Sequence, residues 1–198
     1  MAETLDALPT ARGRAKAERR AALLSSAAHL FATRGFDGVS IEDLGASVGI
    51  SGPAVYRHFT SKQAVLAALL IGVSDGLLVG GRAVVDSADD DPAALRALVR
   101  FHVEFALRDP DVIRVQDRDL AALSLRDRES VRDLQRRYVG LWVDVLGRLR
   151  PSTERAELRL RAQATFGLLN STPHSARSVT AARTRALLEE MALAALDQ

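Results

Sequence analysis

The chain contains no cysteine, which excludes disulfides, thiolate nucleophiles and cysteine-based zinc sites. Lysine is almost missing as well: of 27 basic residues only Lys16 and Lys62 are lysines. Aromatic residues make up 5% of the 198 positions. The chain leans instead on Ala, Leu, Arg and Glu, which favour helices over strands. Long apolar runs are lacking too. The longest uncharged stretch, Ala162 to Ala176, is interrupted by Asn170, Pro173 and His174. A membrane-spanning helix needs about 20 mostly apolar residues, so none is expected. The first six residues carry Glu3 and Asp6 and lead into no apolar block; a secretory leader is not expected, and a cytoplasmic location is.

Recognisable catalytic patterns are equally scarce. His29, His58, His102 and His174 are scattered, with no His-x-x-x-His or Glu-x-x-His pair and no phosphate-binding loop. In His102-Val103-Glu104 the two polar side chains fall on different helix faces. The glycines of "GLLVGGR" lack the strand that dinucleotide binding requires. No metal, cofactor or enzymatic activity is therefore expected.

What the chain does have is a core-forming composition, 47% hydrophobic and 26% charged with net charge +2, enough for one or two compact domains. The charge is uneven. Residues 1–62 hold eight Lys/Arg against six Asp/Glu, and Arg12 to Arg20 has five basic residues and one acid. Residues 1–13 read as a disordered arm, 14–62 as one helical unit, and 63–198 as a second, larger one.

Within the first unit, Leu23, Ala27 and Leu30 recur at helical spacing, flanked by Leu24, Ala28 and Phe31, and Gly35 ends the helix. Ser40 and Asp43 are spaced like a capping box for a second helix of barely two turns, with Ile41, Leu44 and Val48 inward. Gly49-Ile50-Ser51 forms the turn, and Ser51 is placed to cap a third helix over Gly52 to Phe59, with Pro53 in its first turn. Val55 and Phe59 lie on its buried side. Thr60 or Ser61 caps the next helix, beginning at Lys62. This is a helix-turn-helix arrangement. The exposed residues Tyr56, Arg57 and His58 are hydrogen-bond donors, and Lys62 at a helix N-terminus makes a phosphate site.

The stretch "IEDLGASVGISGPAVYRHFTSKQAVLAALL", Ile41 to Leu70, resembles the DNA-binding domain of the tetracycline-repressor (TetR) family. Phe31, Gly35-Phe36, Ser40-Ile41, Gly49-Ile50-Ser51 and above all Tyr56-x-His58-Phe59-x-x-Lys62 carry the resemblance, which covers roughly residues 15–66. It implies an all-α protein that binds double-stranded DNA at a palindromic operator as a homodimer, usually as a repressor. Ser40, Tyr56, His58 and Lys62 take the positions of phosphate-contacting residues. Gly52-Pro53-Ala54 departs from the family's more polar recognition helix. Base contacts are left to Ser51, Tyr56 and Arg57, with Ala54 able to touch a thymine methyl.

Beyond Lys62 the pattern gives a helix to about Val79, loosened at Gly80-Gly81, and an acidic loop from Asp86 to Asp91. Further helices follow from Asp91-Pro92, over Asp111 to about Ser124, over Arg126 to Leu149, from Pro151-Ser152 to Leu169, and from Ser178 or Thr180 to Leu196. "NSTPHS" reads as a break. The total is about nine helices. In the resembled family the second domain binds a small molecule and forms the dimer. The last two helices are expected to make a four-helix bundle with a second copy, using Leu168, Leu169, Ala182, Ala186, Leu187 and Ala194. Phe101, Phe105, Tyr138, Trp142, Leu146 and Phe166 are candidate walls of an apolar effector pocket, with His102, Gln163 and Asn170 as polar groups. From Gly147 to Arg185 there are eight Arg against two Glu, a surplus suited to an anionic head outside an apolar tail. A lipophilic effector such as an acyl-thioester of coenzyme A meets both conditions. The competing reading is a helical binding module whose helix-turn-helix contacts protein, or a helical enzyme; salt-sensitive DNA binding separates the first pair.

Overall fold

The computed structural model describes residues 11–175 and 179–197, and among them every regular element is helical. In chain order these are α1 (Ala11–Arg34), α2 (Ile41–Ser47), α3 (Gly52–Val55), α4 (Lys62–Asp86), α5 (Asp91–Arg108) and α6 (Pro110–Asp119). A 3₁₀ turn (Leu120–Ala122) leads into α7 (Leu125–Leu149), α8 (Arg155–Leu169), α9 (Thr172–Ser175) and α10 (Ala181–Asp197). The nine expected helices are present. The tenth, α9, is a single turn inside "NSTPHS", where Ser171 O accepts from the backbone of His174 and Ser175.

Local chemistry sets most boundaries. Gly35 ends α1 at φ +80°, a conformation that costs a side chain dearly. Ser40 Oγ accepts from Asp43 N at 3.0 Å while the Asp43 carboxylate accepts from Ser40 N at 2.9 Å, the reciprocal box expected. Ser61 caps α4 through Ala64 N, Asp90 caps α5 through Ala93 N, and Thr180 accepts from Arg183 N at the head of α10.

Several expectations need correction. Helix α1 already includes Ala11, Arg12 and Gly13, so the arm expected over residues 1–13 is helical in its last three residues; residues 1–10 lie outside the described ones, as does Ser178. Ser51 makes no side-chain cap to α3, which is only four residues long and continues as a turn through Arg57 and His58. Helix α8 starts at Arg155 rather than at Ser152, after a Pro151 turn.

The largest correction concerns α4, which runs unbroken through Gly80-Gly81 to Asp86. A Cβ on Gly80 would collide with the ring of Phe101, and one on Gly81 would lie 2.6 Å from Tyr138 Cε2. These glycines admit two aromatic rings against the helix backbone and do not loosen it. By length and composition α4 is also apolar enough to cross a membrane, contrary to the expectation that no segment is. The structure buries that apolar surface in two cores. The first unites Leu23, Phe31, Leu44, Val55 and Phe59 with Leu66 and Leu70 of α4, and it extends to Val112 and Val115 of α6. The second joins Leu78 of α4 to Leu98, Trp142, Leu146, Leu158 and Leu196. Packing therefore does not divide at residue 62: α4 passes from one core into the other, and α6 leans on the first.

Candidate DNA-binding surface and effector cavity

Ser51, Pro53, Tyr56 and Arg57 stand exposed on α3 and the turn after it, with Ala54 half-buried beside them. Tyr56 is 54% exposed, much for an aromatic residue on so small a unit. Gly52 does not share this face. It is buried, and a Cβ there would sit 3.1 Å from Glu42 Oε1, so its part is to let α2 and α3 approach. His58 is half-buried, with its Nδ1 enclosed and making no hydrogen bond.

The other proposed phosphate contacts are already tied into the fold. The Lys62 ammonium donates to Phe36 O at 2.7 Å and lies 4.3 Å from the centre of the Phe36 ring. An ammonium carries three donors, so others remain for an anion. Ser40 Oγ is engaged twice with Asp43. The Ser40 hydroxyl and backbone N–H hold the Asp43 carboxyl below its ordinary pKa, the backbone bond contributing most. The basic stretch is part of α1, not a free arm: Arg19 donates to Val48 O at 3.3 Å, and Arg20 lies 4.9 Å from the Phe59 ring centre. Arg12, Arg14 and Lys16 remain exposed.

A cavity of about 190 Å³ opens among α4, α5, α6, α7 and the end of α8. Five of the nine candidate effector residues line it: His102, Phe105, Tyr138, Phe166 and Asn170. The other four do not. Phe101 packs on Gly80. Leu146 and Trp142 are wholly buried core residues, although the Trp142 ring meets Phe166 edge-on at 4.9 Å behind the wall. Gln163 is exposed on α8. Ser74, Leu77, Ile113, Gln116, Gln135 and Val139 complete the lining. Sequence periodicity marks α4, α6 and α7 as helices but gives no sign that these six turn toward one space.

The polar side of the cavity is a connected chain. His102 Nε2 meets Asn170 Oδ1 at 3.1 Å, and His102 Nδ1 meets the Tyr138 hydroxyl at 3.3 Å. Burial drives the His102 pKa down to about 4, only partly offset by Asn170, so the ring is neutral near pH 7. Burial likewise raises the Tyr138 hydroxyl. The Arg surplus does not converge here: Arg148 pairs with Asp91, Arg155 with Asp144, Arg161 with Glu157 and Arg185 with Glu104. No Arg stands among the described residues lining the cavity, so the head group expected outside the apolar tail has no arginine within the cavity itself.

One element touches both sites. Ile113 and Gln116 of α6 line the cavity while Val112 and Val115 pack into the first core. Arg118, held by Asp119, donates to the carbonyls of Phe31 and Ala32 at the end of α1. Asp111 meets His29 of α1 at 3.0 Å.

A helix-turn-helix unit fused to an all-helical domain defines a class of bacterial regulator, and the comparisons agree. Residues 23–69 match the model of bacterial regulatory proteins of the tetR family, and residues 89–174 match a tetracyclin repressor-like C-terminal domain. The HTH-type transcriptional repressor KstR2 of Rhodococcus jostii (strain RHA1) is 31% identical over 132 residues, 66% of this chain and 65% of that repressor's length. A TetR-family transcriptional regulator from Bordetella parapertussis 12822 superposes with TM-score 0.78 at 27% identity, covering 90% of this chain and 94% of the other. The ketosteroid transcriptional regulator KstR2 of Mycobacterium tuberculosis has the same fold, with TM-score 0.73, 24% identity and 89% and 93% coverage. The chain belongs to the TetR family.

Proposed function

We propose that the protein is a dimeric transcriptional repressor, acting in the cytoplasm, that binds a palindromic operator and is released by a small lipophilic effector. The observation that carries the DNA reading is the exposed Ser51–Pro53–Tyr56–Arg57 surface on a helix-turn-helix whose interior is packed and capped. Arg57 and Tyr56 supply donors to base edges or phosphates, while Lys62 and the exposed Arg12, Arg14 and Lys16 supply positive charge. Two copies related by a two-fold axis would set their recognition helices about 34–36 Å apart, matching successive major grooves on one face.

The dimer is assigned to α8 and α10. Ala182, Ala186, Ala194, Leu160, Gly167 and Met191 are exposed there, and small residues permit close helix approach. Leu169 is wholly buried in its own domain and drops out of that set; Leu168 and Leu187 are half-buried. Release would follow from an effector that binds one arrangement of α6 and α4 better than the other. A coupling of about 1–3 kcal/mol gives roughly 5–150-fold loss of affinity.

Selection from fragmented genomic DNA, followed by salt titration, tests the reading. An enriched inverted repeat is expected, with affinity falling steeply as salt rises. Recovery of no palindrome, or binding indifferent to salt, refutes it and favours protein contact by the helix-turn-helix.

A further inference from the structure

Among the described residues that line the effector cavity none is ionised: there is no Asp, Glu, Lys or Arg. Its polar chain is neutral from end to end. Asn170 Oδ1 can only accept, so the His102 Nε2 facing it carries the proton. That leaves Nδ1 as an acceptor, and the Tyr138 hydroxyl donates to it. The side chains of Gln116 and Gln135, also in the lining, make no hydrogen bond within the protein and are available to a guest. An anion placed here would be stripped of water and left without a counter-charge, which costs several kcal/mol. A guest carbonyl could instead accept from the Gln116 or Gln135 carboxamide, and a guest hydroxyl could donate to the Tyr138 oxygen.

Size and shape restrict the guest further. A dry cavity of about 150 Å³ accommodates benzene, so about 190 Å³ suits one ring with a few further atoms. The body of coenzyme A or a fused polycycle exceeds that space. The wall is aromatic: Tyr138 and Phe166 stack on one another at 5.6 Å and 27°, and Phe105 meets His102 edge-on at 5.6 Å, so it offers ring faces and edges to an aromatic guest. Resting on the regulator reading above, we propose that the effector is an uncharged single-ring aromatic compound bearing a hydroxyl or carbonyl group, such as a simple phenol or aromatic ketone.

Trp142 is the chain's one tryptophan, and its ring lies against Phe166 of the cavity wall, so its fluorescence reports occupancy. The full-length protein is titrated with acetophenone, 4-methylphenol, benzoate and octanoyl-coenzyme A at pH 7. Saturable binding of acetophenone or 4-methylphenol is expected, with benzoate at least about tenfold weaker, a gap equivalent to about 1.4 kcal/mol. The double variant Gln116→Leu/Gln135→Leu, which removes both unpaired carboxamides, should erase the preference for acetophenone over ethylbenzene. Gln116→Leu, at a half-buried position with no internal hydrogen bond, should reduce it in a protein that folds normally. Equal affinity for benzoate overturns the proposal. So does a Trp142 response to octanoyl-coenzyme A alone, or saturation by none of the four. Operator binding measured without added compound separates the two readings: if it persists while the neutral rings fail, only the effector class is wrong; if it is lacking, the regulator reading itself fails.

Discussion

Acidification should destabilise this protein through a single ring. His102 has an ordinary pKa of 6.5 and a folded-state value of about 4, because its burial disfavours the charged form. Between those two values the unfolded chain binds a proton that the folded chain refuses. Stability is therefore intact above about pH 6.5, falls progressively toward pH 4, and is not eroded further by this group below that. At about 1.4 kcal/mol per pH unit, the loss amounts to about 3 kcal/mol, a large fraction of the about 5–15 kcal/mol typical of a domain. The titratable neighbour, Tyr138, stays protonated throughout and offers no compensating charge. Urea unfolding of the wild type and of His102→Phe, at one protein concentration from pH 7 to pH 4, isolates the effect, because exposed carboxylates titrate alike in both. The wild type should lose about 3 kcal/mol more than the variant over that range. His102→Gln, which keeps a donor for Asn170, should behave like His102→Phe. If wild-type and variant curves run parallel, His102 is not held neutral by burial, and the neutral polar chain in the cavity is wrong with it.

Gly45→Ala brings a Cβ to 2.7 Å from Ile50 O and 3.1 Å from the Ser51 carbonyl carbon, backbone atoms that cannot swing aside. Operator affinity should drop by about tenfold or more (about 1.4 kcal/mol) with helical circular dichroism retained; unchanged mobility shifts would show that the turn geometry is not what aims α3. Arg118→Met removes donors to Phe31 and Ala32 carbonyls at the end of α1 and should cost about 1–3 kcal/mol in denaturant unfolding, with an unaltered midpoint arguing that α6 does not clamp α1. Lys62→Met should lower the slope of log affinity against log salt by about one for every DNA sequence alike; a constant slope would confine Lys62 to its contact with Phe36. Leu160→Glu and Met191→Glu place charge at side chains 66% and 51% exposed on the proposed dimer face, and sedimentation equilibrium should then report monomers. A dimer that survives both substitutions lies elsewhere.

Much of the helix-turn-helix was legible because its determinants are local. The Ser40–Asp43 box, the positive φ of Gly35 and the spacing of Leu23, Ala27 and Leu30 each act within a few residues, and the same chain supplies both partners. The buried sides of α2 and α3, Ile41, Leu44 and Val55, follow from helical period alone. By contrast, Ser51 looks like a cap from its position but makes no capping bond, since α3 is too short for position alone to settle its end.

What sequence by itself determined here is the fold class, nearly every helix and the absence of thiol chemistry. Helical period, capping and composition are properties of neighbours along the chain. Only the tertiary structure decided what depends on partners far apart in sequence. Gly80 and Gly81 have the composition of a loosened helix, yet Phe101 and Tyr138 from other helices fill the space above them and keep α4 straight through. Trp142 and Leu146 share a helical stripe with Tyr138, but a cavity wall is one residue deep, and the helices around it bury the first two behind it. The arginines of residues 147–185 suggested an anion site by number, yet Arg148 and Arg185 pair with Asp91 and Glu104 of α5 instead. A pocket's charge is set by which side chains face one space, and that is fixed only when the helices pack.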